Sequence, residues 1–104
     1  MRRVVWSDSA LLDFCEILEY IAADNLDAAE QVAERIEQAI EKFAFMPTGR
    51  KGRVGGTYEK VVTSLPYIVA YALSEERSGE ERLTVLRIIH GARHWPKGEW
   101  PSES

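Results

Sequence analysis

A two-layer α+β fold, with an antiparallel helix hairpin packed on a small, mainly antiparallel sheet, is predicted by three features of this 104-residue sequence. Apolar residues recur at spacings of three and four through two early segments, the pattern of helices with one buried face. The later segments change to β-branched and aromatic residues bounded by turn formers, which reads as strands. The connection between the two helical segments is short enough to force a hairpin, and the sheet is the only large surface on which that hairpin can bury its stripes.

The order is strand, helix, helix, then three strands. RVVW (residues 3–6) is short, β-branched and aromatic, which suits a first strand. Ser7 and Asp8 cap the first helix, whose stripe of Leu11, Phe14, Leu18 and Ile21 carries it to about Ala23, with Asn25 as its stop. Asp27 and Glu30 form a capping-box pattern for the second helix. Ala29, Val32, Ala33, Ile36, Ile40 and Phe43 make its buried stripe, and Pro47 ends it, because proline excludes the helical conformation at the preceding residue. Residues 48–56 (TGRKGRVGG) read as a flexible basic loop, and strands are expected over 57–63, 66–73 and 83–90. SEERSGEER (74–82) reads as an exposed hairpin tip, and LTVLRIIH as an interior strand, apolar on both faces apart from Arg87 and His90. One domain covers residues 1–96, and the aperiodic KGEWPSES (97–104) reads as a flexible tail.

Composition narrows the function. Apolar residues make up 45% of the chain and charged residues 29%, which is the balance of a folded domain rather than a disordered one. Nothing resembles a membrane span or a signal peptide, and a single cysteine permits no internal disulfide, so the cytoplasm is the expected compartment. The net charge of −4 argues against a general nucleic-acid coat protein, and no direct DNA binding by the chain alone is expected. The charge is unevenly placed: residues 1–49 sum to −6 and residues 50–104 to +2. An acidic front half and a basic loop at Arg50, Lys51 and Arg53 suggest two faces with different partners.

The chemistry-bearing groups gather in the second half. Arg87, read as sharing a strand face with Leu83, Val85 and Ile89, looks like a paired structural arginine. His90 lies three residues on and so points to the opposite side. His90 serves either as a histidine at the core edge or as a reactive group at the strand's end. Arg93 and Trp95 pair a cation with an aromatic, a combination that binds nucleic acid or protein, while Trp95-Pro96 can equally cover the core. His94 stands four residues from His90 without a third ligand, so neither a metal nor a cofactor is expected. Cys15, near the apolar stripe of the first helix, reads as an inert packing group.

Three stretches resemble the RelE/ParE toxins of type II toxin–antitoxin systems, a family of the plasmid stabilisation type. WSDSALLDFCEILEYIA resembles their first helix. GRKGRVGGTYEKVV followed by PYIVAYAL resembles their middle strands, and LTVLRIIHGARHWP their closing strand; together they span about residues 3–96 in the family's order. The resemblance implies a growth-inhibiting toxin neutralised by a cognate antitoxin. Two mechanisms exist in the family: ParE-like poisoning of DNA gyrase, and RelE-like cleavage of mRNA on the ribosome without a metal. Basic positions of RelE-like middle strands fall here on Glu59, Val61 and Ile68, none of which can clamp a phosphate, so the ParE-like reading is expected, with the nuclease as its alternative. Tyr58 stands where such relatives carry arginine after Gly-Thr, which keeps a third reading open, a non-toxic antitoxin-binding module. The expected target-contact or catalytic residues are Arg93, His90, Arg53, Arg50, Trp95 and Tyr58. Those expected to meet the antitoxin are Glu16, Glu19, Glu34, Glu37 and Glu41.

Overall fold

The computed structural model describes residues 2–46, 49–93 and 95–101. Strand β1 (Arg3–Trp6) leads into helix α1 (Asp8–Ala22) and helix α2 (Leu26–Phe45). Strands β2 (Arg50–Lys51), β3 (Tyr58–Val61), β4 (Tyr67–Glu75) and β5 (Glu81–His90) follow. The sheet order is β1-β5-β4-β3-β2, with β1 parallel to β5 and every other pairing antiparallel. The α+β order is as expected, and β5 lies inside the sheet between β1 and β4.

Local chemistry sets the helix ends. Ser7 accepts a hydrogen bond from the Ala10 N–H at 3.1 Å and donates its hydroxyl to the Leu86 carbonyl at 2.9 Å, tying the start of α1 to β5. The next cap differs from expectation. Asn25, not Asp27, caps α2, accepting from the Ala28 N–H at 3.0 Å, so α2 starts two residues early. A single asparagine thus serves where a stop and a separate capping box were expected, because its short amide reaches the free N–H groups of the next helix. The place of Pro47 at the end of α2 lies outside the described residues. The Ala44 carbonyl accepts from the Arg2 N–H at 3.2 Å, which returns α2 to the start of β1 and closes the hairpin over the sheet.

The inward stripe of α1 is rotated from the expected one. Ala10 and Asp13 are buried and Phe14 and Ile17 pack on the core, whereas Leu11 is half exposed and Cys15 is exposed. Asp13 replaces an apolar group on that stripe because β5 offers it three donors: Arg87 Nε at 2.7 Å, Arg87 Nη2 at 3.1 Å and the Ile88 N–H at 2.9 Å. β1 pairs with β5 only as far as Val85, so the edge of β5 beyond that point is satisfied by α1. Arg87 is therefore the paired structural arginine its strand position suggested.

Its expected face, however, is wrong. Ala70 pairs with Arg87 but Tyr71 pairs with Val85, leaving Leu86 as the extra residue of a β-bulge. Alternation breaks there: Leu83, Val85 and Ile88 belong to the core under the helices, while Ile89 belongs to a second cluster with Ile68, Ala70 and Trp95. The main core also holds Ile36, Ile40, Phe43, Val69 and Tyr71, with rings stacked from Phe43 to Tyr71 (6.0 Å) and from Tyr71 to Tyr58 (5.6 Å).

Two segments expected to be irregular are ordered. Within 48–56, Arg50 and Lys51 form β2, paired with Glu59 and Tyr58. Gly49 sits so close to the Tyr71 hydroxyl that any side chain would collide with it, and its N–H donates to that hydroxyl at 3.1 Å. Of the expected flexible tail, residues 97–101 fold back as a strap. The Gly98 N–H donates to the Arg53 carbonyl at 2.7 Å, Trp100 stacks on Trp95 at 5.9 Å, and Pro101 is buried. The strap forms because Ile68, Ala70 and Ile89 make a second apolar sheet face that the helices do not cover.

Candidate functional site

The residues expected to act together divide between the two faces of the sheet. Tyr58 stacks on Tyr71 in the helix-side core and is half-buried. Its neighbour Glu59 alternates to the other face, where it is only 2% exposed. Glu59 accepts from the Arg53 N–H at 2.6 Å and from Arg53 Nη1 at 2.8 Å, and lies 3.8 Å from the Arg50 guanidinium. Arg53 in turn lies over the Trp95 ring, 4.4 Å from its centroid. Arg53, Glu59, Trp95 and Trp100 are thus one interlocked unit that latches the strap to the β2–β3 loop. Trp95 is 8% exposed, and its indole N–H is buried without a hydrogen-bond partner among the described residues.

His90 and Arg93 lie elsewhere, at the end of β5. The His90 ring meets Tyr67 edge-on at 5.6 Å, its Nδ1 accepts from the Ala92 N–H at 3.1 Å, and both His90 and Arg93 are exposed. Burial, with Tyr20 nearby as the lesser cause, pushes the Tyr67 phenol above its ordinary range. The place of His94 lies outside the described residues. Among the described residues, no group of three or more histidine, cysteine, aspartate or glutamate side chains could hold a metal ion. No helix of the described residues is long and apolar enough to cross a membrane.

The acidic candidates are all exposed. Glu34, Glu37 and Glu41 follow one another along α2 and, with Glu30, line a shallow acidic groove. Glu37 and Glu41 also border an apolar cleft of Val4, Trp6, Leu11 and Phe14. Glu16 and Glu19 stand apart on α1. A larger groove of about 950 Å³ runs between α2 and β3, with Phe45, Met46 and Val61 exposed along it and Arg35, Lys42 and Lys60 as its bases. No pattern in the sequence announces this groove, because Phe45 and Val61 sit in stretches that read as ordinary helix and strand. The stronger missed signal is Asp13: an arginine in mid-strand requires a buried partner, and an aspartate on a helix stripe supplies one.

Comparison with known proteins places this architecture. The profile of the ParE toxin of type II toxin–antitoxin systems, parDE, matches residues 4–95. The Y4kP protein of Sinorhizobium fredii is 35% identical over 97 residues, covering 92% of this chain and 95% of that protein. Toxin RelE2 of Caulobacter vibrioides is 31% identical over 94 residues, covering 89% of this chain and 99% of that toxin. Among solved structures, a chain of the chromosomal ParDE TA system from P. aeruginosa superposes with a TM-score of 0.74 at 17% identity, over 86% of this chain and 96% of that one. That likeness establishes the shared fold. The class is that of type II toxin–antitoxin toxins. Within it, this chain belongs to the ParE toxin family.

Proposed function

We propose that the chain is a ParE-like toxin that poisons DNA gyrase through surface contacts and is neutralised by a cognate antitoxin. The observation that carries this reading is the scattering of the candidate reactive groups. A metal-free nuclease needs a general base and several cations converging on one phosphate. Here Tyr58 is stacked in the helix-side core, Arg53 is clamped between Glu59 and Trp95 on the opposite side, and His90 and Arg93 sit at the end of β5. Glu59 offsets the charge of Arg53 and Arg50, which weakens the basic loop as a phosphate clamp. The candidates exposed toward a target are Arg93, His90 and Arg50, with Trp95 available only if the strap lifts.

The antitoxin reading rests on the exposed acids of α2 and on the apolar grooves at either side of it, which suit an amphipathic helix or an added strand. Glu34, Glu37 and Glu41 are its expected contacts, with Glu16 and Glu19 on α1 as the outlying pair. The ribosome-dependent nuclease is the second reading, favoured by the 31% identity to a toxin named RelE2.

Inducible expression of the full chain separates the two. Growth arrest with broken chromosomal DNA and intact mRNA is the expected result. Growth arrest with cleaved mRNA and intact DNA would replace gyrase with the ribosome and make His90 and Arg93 the catalytic pair. Harmless expression of folded protein would instead assign the third reading, a non-toxic antitoxin-binding module.

A further inference from the structure

The strap at 97–101 is lightly fastened. Among the described residues, one backbone hydrogen bond joins it to the rest of the fold, from the Gly98 N–H to the Arg53 carbonyl at 2.7 Å. Another, from the Glu99 N–H to the Pro96 carbonyl at 3.3 Å, lies within the turn itself. The remaining hold is apolar contact: Trp100, partly buried, stacks on Trp95 at 5.9 Å, and Pro101 is buried. The five strands pair without the strap, and the core under the helices includes none of its residues. Lifting it would therefore leave the fold standing.

What the strap covers has the chemistry of a contact surface. Trp95 clusters with Ile68, Ala70 and Ile89, and the Arg53 guanidinium lies 4.4 Å from its ring centroid. Aromatic residues and arginine are enriched at the centres of protein interfaces. Glu59, held against Arg53 at 2.8 Å, offsets its charge, so the patch suits a protein surface better than a polyphosphate. The closed form is also penalised from within. The Trp95 indole N–H is buried with no partner among the described residues, whereas water would satisfy it once the strap lifted. Closure needs Gly98 at φ 85°, a left-handed conformation that glycine adopts readily and other residues do not.

We infer that residues 97–101 are an autoinhibitory lid, which masks Trp95 and Arg53 as a protein-contact surface until the Gly98–Arg53 hydrogen bond and the Trp100 stack break. In the closed form the lid is the occupant of this sheet face, and in the open form the toxin's target protein takes its place. The inference rests on the reading of Trp95 and Arg53 as target contacts, and not on that target being gyrase.

Gly98 allows the lid to be loosened without touching the core. In Gly98→Ala the new methyl meets open space but is strained at φ 85°, and Gly98→Pro also removes the donor to Arg53. In the full chain, hydrogen exchange of the Trp95 indole N–H, followed by NMR, reports opening of the lid, and exchange of the β4 and β5 amides reports the fold. Trp95 exchange should quicken from wild type to Gly98→Ala to Gly98→Pro, by about tenfold for the last, which loses a hydrogen bond as well as the favoured backbone. The β4 and β5 amides should stay as protected as in the wild type. Expressed without antitoxin and at matched protein level, the variants should arrest growth at lower inducer in the same order. Trp100→Ala, which removes the stack instead, repeats both readings should Gly98→Pro fold poorly. Trp95 exchange no faster in these variants would overturn the proposal, because nothing would then be opening. Faster exchange with growth arrest unchanged, weakened or absent would overturn it too, because the uncovered face would then contact nothing. Arrest is scored without regard to target, so cut mRNA in place of broken DNA would end the gyrase reading and leave the lid standing.

Discussion

Asp13 and Arg87 show how one residue's environment decides its role. The carboxylate of Asp13 takes three hydrogen bonds, two from Arg87 and one from the Ile88 backbone, at a buried point where α1 covers the open edge of β5. Removing one partner of such a pair leaves a buried charge without compensation, which costs far more than the pair is worth. Asp13→Ala should therefore lose about 3 kcal/mol of stability, seen as a lower denaturation midpoint. Replacing both members by apolar residues, Asp13→Leu with Arg87→Met, should recover most of the loss. An Asp13→Ala variant as stable as the wild type would contradict this account. Tyr71 makes a second prediction at this scale. Burial pushes its phenol above the ordinary tyrosine value of 10.0, against the Gly49 N–H, which favours the phenolate. Because the folded value lies above the unfolded one, this contribution is whole below about pH 10 and is lost as pH rises through the folded value. Urea unfolding near pH 8 and near pH 11 should show an alkaline loss that is smaller in Tyr71→Phe; equal losses in both proteins would refute the assignment. Arg87 was legible from sequence as a structural arginine, because a charge inside an apolar strand needs a partner. Its face was not, because a bulge at Leu86 depends on pairing that a single strand's pattern does not reveal.

At the scale of elements, periodicity identified both helices and four of the five strands. Where it failed, a tertiary contact had overridden it. The stripe of α1 was expected through Leu11 and Leu18, but the helix turns Asp13 inward to satisfy β5, and Leu11 and Cys15 are left outward. β2 is two residues long and exists only by pairing with Tyr58 and Glu59, too short a segment for any alternation to register. Of the segment 95–101, a core-covering Trp95-Pro96 was among the readings, but the ordered strap at 97–101 was missed for a related reason. It has no period of its own and is ordered by the sheet face beneath it and by Arg53. Its two tryptophans should contribute unequally. Trp95→Ala removes a buried ring and should cost about 3–5 kcal/mol in thermal or chemical unfolding. Trp100→Ala should cost clearly less, because Trp100 is only partly buried. Equal effects of the two substitutions would mean that the strap is held by something other than the Trp95 cluster.

Across the whole molecule, charge and topology point the same way. The acids collect on the helices, and the exposed bases of the second half lie on β2 (Arg50, Lys51), at the β4–β5 turn (Arg77) and beyond β5 (Arg93, Lys97), in line with the sequence balance of −6 and +2. The candidate site was only partly legible. Each of Arg50, Arg53, Tyr58, His90, Arg93 and Trp95 was recognisable by residue type, but which of them converge depends on sheet faces and on the strap. Glu59 holds Arg53 in a cluster with Trp95 while Arg50 stays exposed at its rim, Tyr58 joins the helix-side core, and His90 and Arg93 remain at the far end of β5. That scatter is what supports the proposed reading, action by surface contact. The most direct test is to incubate the purified chain with DNA gyrase, ATP and supercoiled plasmid, and to score linear DNA after detergent and protease treatment. The account predicts that linear plasmid accumulates with dose, that Arg93→Ala reduces it, and that ribosome-bound mRNA incubated with the same protein stays whole. Unbroken plasmid beside cut mRNA would contradict it.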